Sequence, residues 1–160
     1  MKSGGKVKPM RSRTIRLMDG TALAVAVLVT TIFAQPAAAQ VSIWSGVYTE
    51  AQSKRGQTLY SGACSQCHGA RLNGAAQSDQ PPSPAIARAG FLRKWDGKPV
   101  AELFTYVRKM MPTDNPGTLS DQQAIDSLTY MFAVSEIPAG DKELPTDKKV
   151  LEGIVIKMQK

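Results

Sequence analysis

The chain has 160 residues, 42% hydrophobic and 21% charged, with a formal net charge of +7, two cysteines and one histidine. Six of its twenty Lys/Arg fall before Gln40 against a single acid, Asp19; from Gln40 onward fourteen bases meet twelve acids, a net charge of only +2. The basic character therefore belongs to the first forty residues, and a nucleic-acid partner loses its main support.

Lys2, Lys6, Lys8, Arg11, Arg13 and Arg16 make a basic start, followed by the apolar run "TALAVAVLVTTIFA" (21–34). That run is short for a bilayer span of about 20 residues. The next stretch, "QPAAAQ", offers a small-residue cleavage site at Ala37-Ala38-Ala39. Residues 1–39 thus read as a cleavable export signal, cut after Ala39, which predicts a periplasmic protein. The alternative is an uncleaved anchor holding the protein to the outer face of the inner membrane, the one way the membrane enters as a partner. Residues 40–137 are expected to form one domain and 138–160 a C-terminal tail, ending in a short strand or a surface wrap. About 120 residues rich in Ala, Gly, Pro, Ser and Gln make a thin core, the kind a cofactor helps to fill.

Thr49 reads as a helix N-cap, with Gln52 completing a capping box. The helix is expected from Glu50 to about Ala63, presenting Ala51, Leu59, Tyr60 and Ala63, with Gly56 inside it. The stretch 69–90 has no periodicity and predicts a long wrapping loop. "FLRKWDG" (91–97) is a short helical turn. Pro99 suits the start of a further helix, with Val100, Leu103, Phe104, Val107 and Met111 at helical spacing until Pro112. Ser120 and Gln123 cap a last helix to about Ile137, carrying Ile125, Leu128, Met131, Phe132 and Val134 with Tyr130 alongside. No strand set suffices for a sheet, so the fold class is all-α.

All thiol and imidazole chemistry sits in "CSQCH", Cys64 to His68. Structural zinc needs four nitrogen or sulfur ligands, and only three are present. A redox dithiol of the thioredoxin kind expects a strand–helix–strand context and gives His68 no reason to follow. Covalent haem attachment accounts for each residue: thiols at i and i+3 form thioethers to one edge of a porphyrin, and the next residue is held where an imidazole reaches iron.

With a capped helix before Cys64-Ser65-Gln66-Cys67-His68, a Met-Pro further on and a last helix containing Tyr130, residues 48–137 resemble a class I, mono-haem c-type cytochrome. "GVYTEAQSKRGQTLY", "FLRKWDG" and "MMPTDNPGTLSDQQ" are similar to small exported cytochromes that accompany quinoprotein dehydrogenases. The resemblance implies the cytochrome c fold, N- and C-terminal helices crossing beside one haem c. It gives Gly56, Tyr60 and Tyr130 a packing role at that crossing. His68 is the proximal iron ligand and Met111 the distal one, since Met111 continues the apolar helix face and precedes Pro112; Met110 is the second choice. Pro84 matches the proline whose carbonyl receives the imidazole N–H, although Arg88 stands where that motif ends in glycine. Trp95 is a candidate donor to a haem propionate.

A Met/His pair fills both axial positions. The expected function is one-electron transfer between a dehydrogenase donor, quinoprotein in the narrower likeness, and a terminal oxidase or other cytochrome. The chain is then a carrier rather than an enzyme, or the cytochrome subunit of a dehydrogenase complex. A haem enzyme or sensor with an open sixth iron site is the alternative. Arg71, Arg88, Arg93, Lys94, Lys98, Arg108 and Lys109 are candidates for steering an acidic partner.

Overall fold

The computed structural model describes residues 39–74 and 82–159; apart from Ala39, the expected export signal lies outside them. Among the described residues no helix is long and apolar enough to cross a membrane. Six helices and one small sheet follow in the order β1 (Val41–Ser42), α1 (Glu50–Ala63), α2 (Ser65–His68), α3 (Arg88–Trp95), α4 (Val100–Met110), α5 (Asp121–Val134), α6 (Lys148–Glu152) and β2 (Ile154–Val155). Helices α1, α4 and α5 fall where the sequence puts them, with α3 starting earlier and α5 ending sooner than expected, whereas α6 lies in the segment expected to be a tail.

Helix α1 starts on Thr49, whose side chain accepts the Gln52 N–H. The expected capping box is only half made. The Gln52 side chain is fully buried and turned away to Leu144, exchanging hydrogen bonds with its backbone N–H and carbonyl at 2.8 and 2.9 Å. The buried stripe of α1 is therefore Gln52, Gly56 and Tyr60, not the Ala51/Ala63 face, which is exposed. At Gly56 a Cβ would overlap the Asp126 carbonyl of α5, so glycine is what lets the two backbones meet. Tyr60 and Tyr130 pack beside that crossing, ring centroids 5.4 Å apart and tilted by 55°.

Helix α5 has both halves of its capping box, Ser120 with Gln123. It is buried on nearly all sides: Ile125, Leu128, Phe132 and the polar Thr129 are fully enclosed, and the polar Asp126 and Ser127 are nearly so. Ser127 and Thr129 hydroxyls donate to carbonyls within the helix, while Asp126 accepts from Arg55 and Gln122. Helix α4 is the amphipathic one, burying Val100, Leu103, Phe104 and Val107 and exposing Glu102, Tyr106 and Lys109.

The C-terminal segment differs most from expectation. Leu144, Leu151, Ile154, Val155 and Ile156 belong to the core. β2 pairs in parallel with β1, Val41 beside Ile154 and Ser42 beside Val155, so a minimal sheet exists where none was expected. Each strand is too short and isolated to leave an alternating pattern.

Candidate functional site

α1 leads directly into the Cys64–His68 turn. The Cys64 N–H keeps its helical bond to the Tyr60 carbonyl, and the Cys64 carbonyl then accepts from both Cys67 and His68 N–H, at 3.2 and 2.9 Å. This winds both cysteines and the histidine onto one turn. Gly74 N–H returns to the His68 carbonyl at 2.9 Å, and the Tyr60 hydroxyl donates to the Gly69 carbonyl. Gly74 has φ of +82°, and a side chain there would press on the Ser83 carbonyl. Glycine thus permits the 82–86 segment to lie against the turn.

That contact places the Pro84 carbonyl 3.0 Å from His68 Nδ1. A carbonyl oxygen can only accept, so the hydrogen must reside on Nδ1, which leaves the Nε2 lone pair for a metal. Arg88, in the glycine position of the motif, takes the glycine-like conformation: its φ is +62°. Its N–H donates to Ser135 Oγ at 2.7 Å and its guanidinium to the Arg71 carbonyl at 3.1 Å. The loop turns as a glycine would have turned it, with these bonds offsetting the cost of the left-handed backbone.

Cys64, Cys67, His68 and Pro84 line a cavity of about 340 Å³ whose remaining walls come from the long helices and from the 82–86 and 111–119 segments. α3 supplies Phe91, Lys94 and Trp95, α4 supplies Leu103, Tyr106 and Val107, and α5 supplies Met131. Met111, at the C-cap of α4, lines the same cavity, whereas Met110 does not line it and is 51% exposed. Trp95 is nearly buried, tilted against Tyr106 at 6.0 Å, with the Lys98 ammonium 5.2 Å from its ring centroid. Sequence reasoning missed Tyr106, which sits on the polar side of α4, and treated Lys94 only as a surface charge. Neither has a signal in spacing alone.

Burial, and secondarily the neighbouring Cys67, push the Cys64 thiol up to about 11. A redox-active dithiol needs a lowered thiol pKa, so this environment opposes the thioredoxin-like alternative. Among the described residues no cluster of three or more His, Cys, Asp or Glu side chains could hold a metal ion, which opposes zinc.

The cytochrome c family model matches residues 53–135, just over half of the chain. The chain belongs to the cytochrome c family and is a mono-haem c-type cytochrome of class I, with haem-based electron transfer as its business. Its cofactor is covalently attached haem c. A similar solved structure is the sulfane dehydrogenase SoxCD from Paracoccus pantotrophus, 17% identical, covering 74% of this chain and 60% of that one at a TM-score of 0.45. The chain thus spans about three fifths of that chain's length. No curated protein matches the sequence at a significant level.

The residues present fit the haem. A mainly apolar cavity brings together two thiols at i and i+3, an imidazole with Nε2 available and two thioethers, Met111 after α4 and Met131 on the buried side of α5. This is a donor set for thioether attachment and a nitrogen–sulfur axial pair.

Proposed function

We propose that the protein is an exported carrier of single electrons, with haem joined to Cys64 and Cys67 and its iron held between His68 Nε2 and Met111 sulfur. The observation that carries this reading is the shared cavity: four donor side chains from two separate parts of the chain line it, with His68 oriented by the Pro84 carbonyl. The haem, when bound, supplies a one-electron iron couple. Everything else falls to the chain. Pro84 fixes the ring plane and raises the basicity of His68. Met111, which lines the same cavity, would hold the iron through its sulfur and so would keep small ligands off it. Phe91, Trp95, Leu103 and Val107 line the cavity and exclude water, and in this reading Trp95 is the candidate donor to a propionate.

In this reading residues 1–39 are the signal that delivers the chain to the periplasm, and residues 40–137 carry the cytochrome. The donor is a dehydrogenase, of the quinoprotein kind in the narrower resemblance, and the acceptor an oxidase or another cytochrome. Of the seven bases proposed to steer a partner, three have work inside the molecule. Arg108 pairs with Asp121 and the Gly117 carbonyl, Lys98 with Glu102 and Trp95, and Arg88 with Arg71. Steering of an acidic partner falls to Arg71, Arg93, Lys94 and Lys109.

Carbon monoxide binding to the reduced protein, read beside the oxidised spectrum, tests the closed-iron carrier. The wild type is expected to show a sulfur-to-iron charge-transfer band and to resist carbon monoxide. Met111→Ala should lose the band, bind the gas and have a lower potential, while Met110→Ala resembles the wild type. Ready carbon monoxide binding by the wild type would instead indicate the open-site enzyme or sensor.

A further inference from the structure

The segment following α5 joins the two halves of the site from outside. At one end it is fastened to α1, the helix that runs into Cys64. Gln52 holds the Leu144 backbone through both its donor and its acceptor, and Arg55 pairs with Glu143 at 2.8 Å. At the other end it is fastened to the turn between α3 and α4. Gly97 N–H donates to the Ile156 carbonyl at 2.8 Å, Ile156 N–H to the Lys98 carbonyl at 2.9 Å, and Met158 N–H to Asp96 Oδ1 at 2.9 Å. Trp44 Nε1–H holds the Lys157 carbonyl at 2.7 Å, keeping the strand in place from its other side. The turn so gripped sits between Trp95, a wall of the cavity, and α4, whose C-cap is Met111.

We propose that residues 143–158 are a brace that positions the methionine side of the haem site relative to the histidine side, with Gln52 and Asp96 as its two fastening residues. Neither residue lines the cavity. Their influence on the iron is therefore indirect: they limit how often α4 and the α3–α4 turn swing outward, carrying Met111 away. The chain gains by this a second connection between its two ligand-bearing parts, besides the packing of both on α5. The inference rests on Met111 being the iron ligand.

The test measures the rate at which added imidazole enters the iron of the oxidised, haem-loaded full chain, because entry requires Met111 to leave. Gln52→Ala and Asp96→Ala remove brace hydrogen bonds, and Asp96→Asn keeps an acceptor oxygen for the Met158 N–H. Losing such a bond raises the open population by up to about tenfold. The two alanine variants should admit imidazole faster by that order, at unchanged helical circular dichroism, and Asp96→Asn should return to the wild-type rate. Should Gln52→Ala fail to fold, the surface variant Asp96→Ala and its Asn rescue carry the result. Unchanged entry rates in the alanine variants overturn the brace. A wild type without the sulfur-to-iron band overturns the Met111 assignment itself, which is a different and separately visible failure.

Discussion

The backbone carbonyl of Asp126 lies where a Cβ at position 56 would have to stand. Helices α1 and α5 meet there at backbone contact, and Tyr60 and Tyr130 fill the space beside them. Because α1 leads directly into the Cys64–His68 turn, this crossing locates that turn against the core. Gly56→Ala should gain about 1 kcal/mol of helix propensity and lose more than that by forcing the helices apart. A net loss of about 2 kcal/mol is expected, within the usual range for overpacking. The denaturant midpoint measures it, and a variant as stable as the wild type would show that the contact yields easily.

Arg88 is held at φ of +62°, and its stability effect has a definite order. Alanine there keeps the left-handed strain and loses the bond to Arg71; glycine loses the same bond and the strain with it. Arg88→Gly should be more stable than Arg88→Ala by about 1 kcal/mol. Equal midpoints would mean that the turn relaxes when the arginine is removed.

Arg55 is shared between a nearly buried carboxylate, Asp126, and an exposed one, Glu143. Both hydrogen bonds raise its pKa further above the ordinary guanidinium value, Glu143 first. Arg55→Met leaves the Asp126 carboxylate in the core with only the Gln122 amide donating to it, at an expected cost of about 2 kcal/mol, below the full cost of a wholly buried pair. Glu143→Gln should cost less than about 1 kcal/mol, as exposed pairs do. Thermal or denaturant unfolding of the two variants distinguishes them, and the reverse order would contradict this division.

Burial, then Cys64 while it is still a free thiol, then Tyr130, raise the Tyr60 phenol from 10.0 to about 12. Between those values the unfolded chain has released a proton that the folded chain still holds, so stability falls as pH rises through the window and is fully present below it. Tyr60→Phe should be less stable at neutral pH, through loss of the Gly69 hydrogen bond, and yet decline less steeply above pH 10. Tyr48, also raised by burial, leaves a residual slope. Unfolding midpoints across this range supply the test; parallel curves for the two proteins would remove Tyr60 from the explanation.

That Cys64, Cys67, His68 and Met111 belong to one site was legible because the signals are local. Cys64, Cys67 and His68 are contiguous, and Met111 continues a four-residue apolar face up to a proline. Pro84 was reachable only through the family motif, since nothing in its own surroundings announces that its carbonyl will meet an imidazole sixteen residues earlier. The Gln52 side chain was misread for a physical reason. The Thr-x-x-Gln pattern is the same whether the glutamine folds back on its own helix or reaches Leu144, and a contact 92 residues away decides between them. The segment after Pro138 was likewise unreadable as core, because five buried apolar residues are scattered among charges without either helical or strand period.

Extraction with acidified solvent tests the covalent haem most directly. Protein produced in a periplasm competent for haem maturation, then treated with acidified organic solvent, should keep all its colour on the chain, as thioethers at Cys64 and Cys67 require. Pigment that passes wholly into the solvent would contradict covalent attachment.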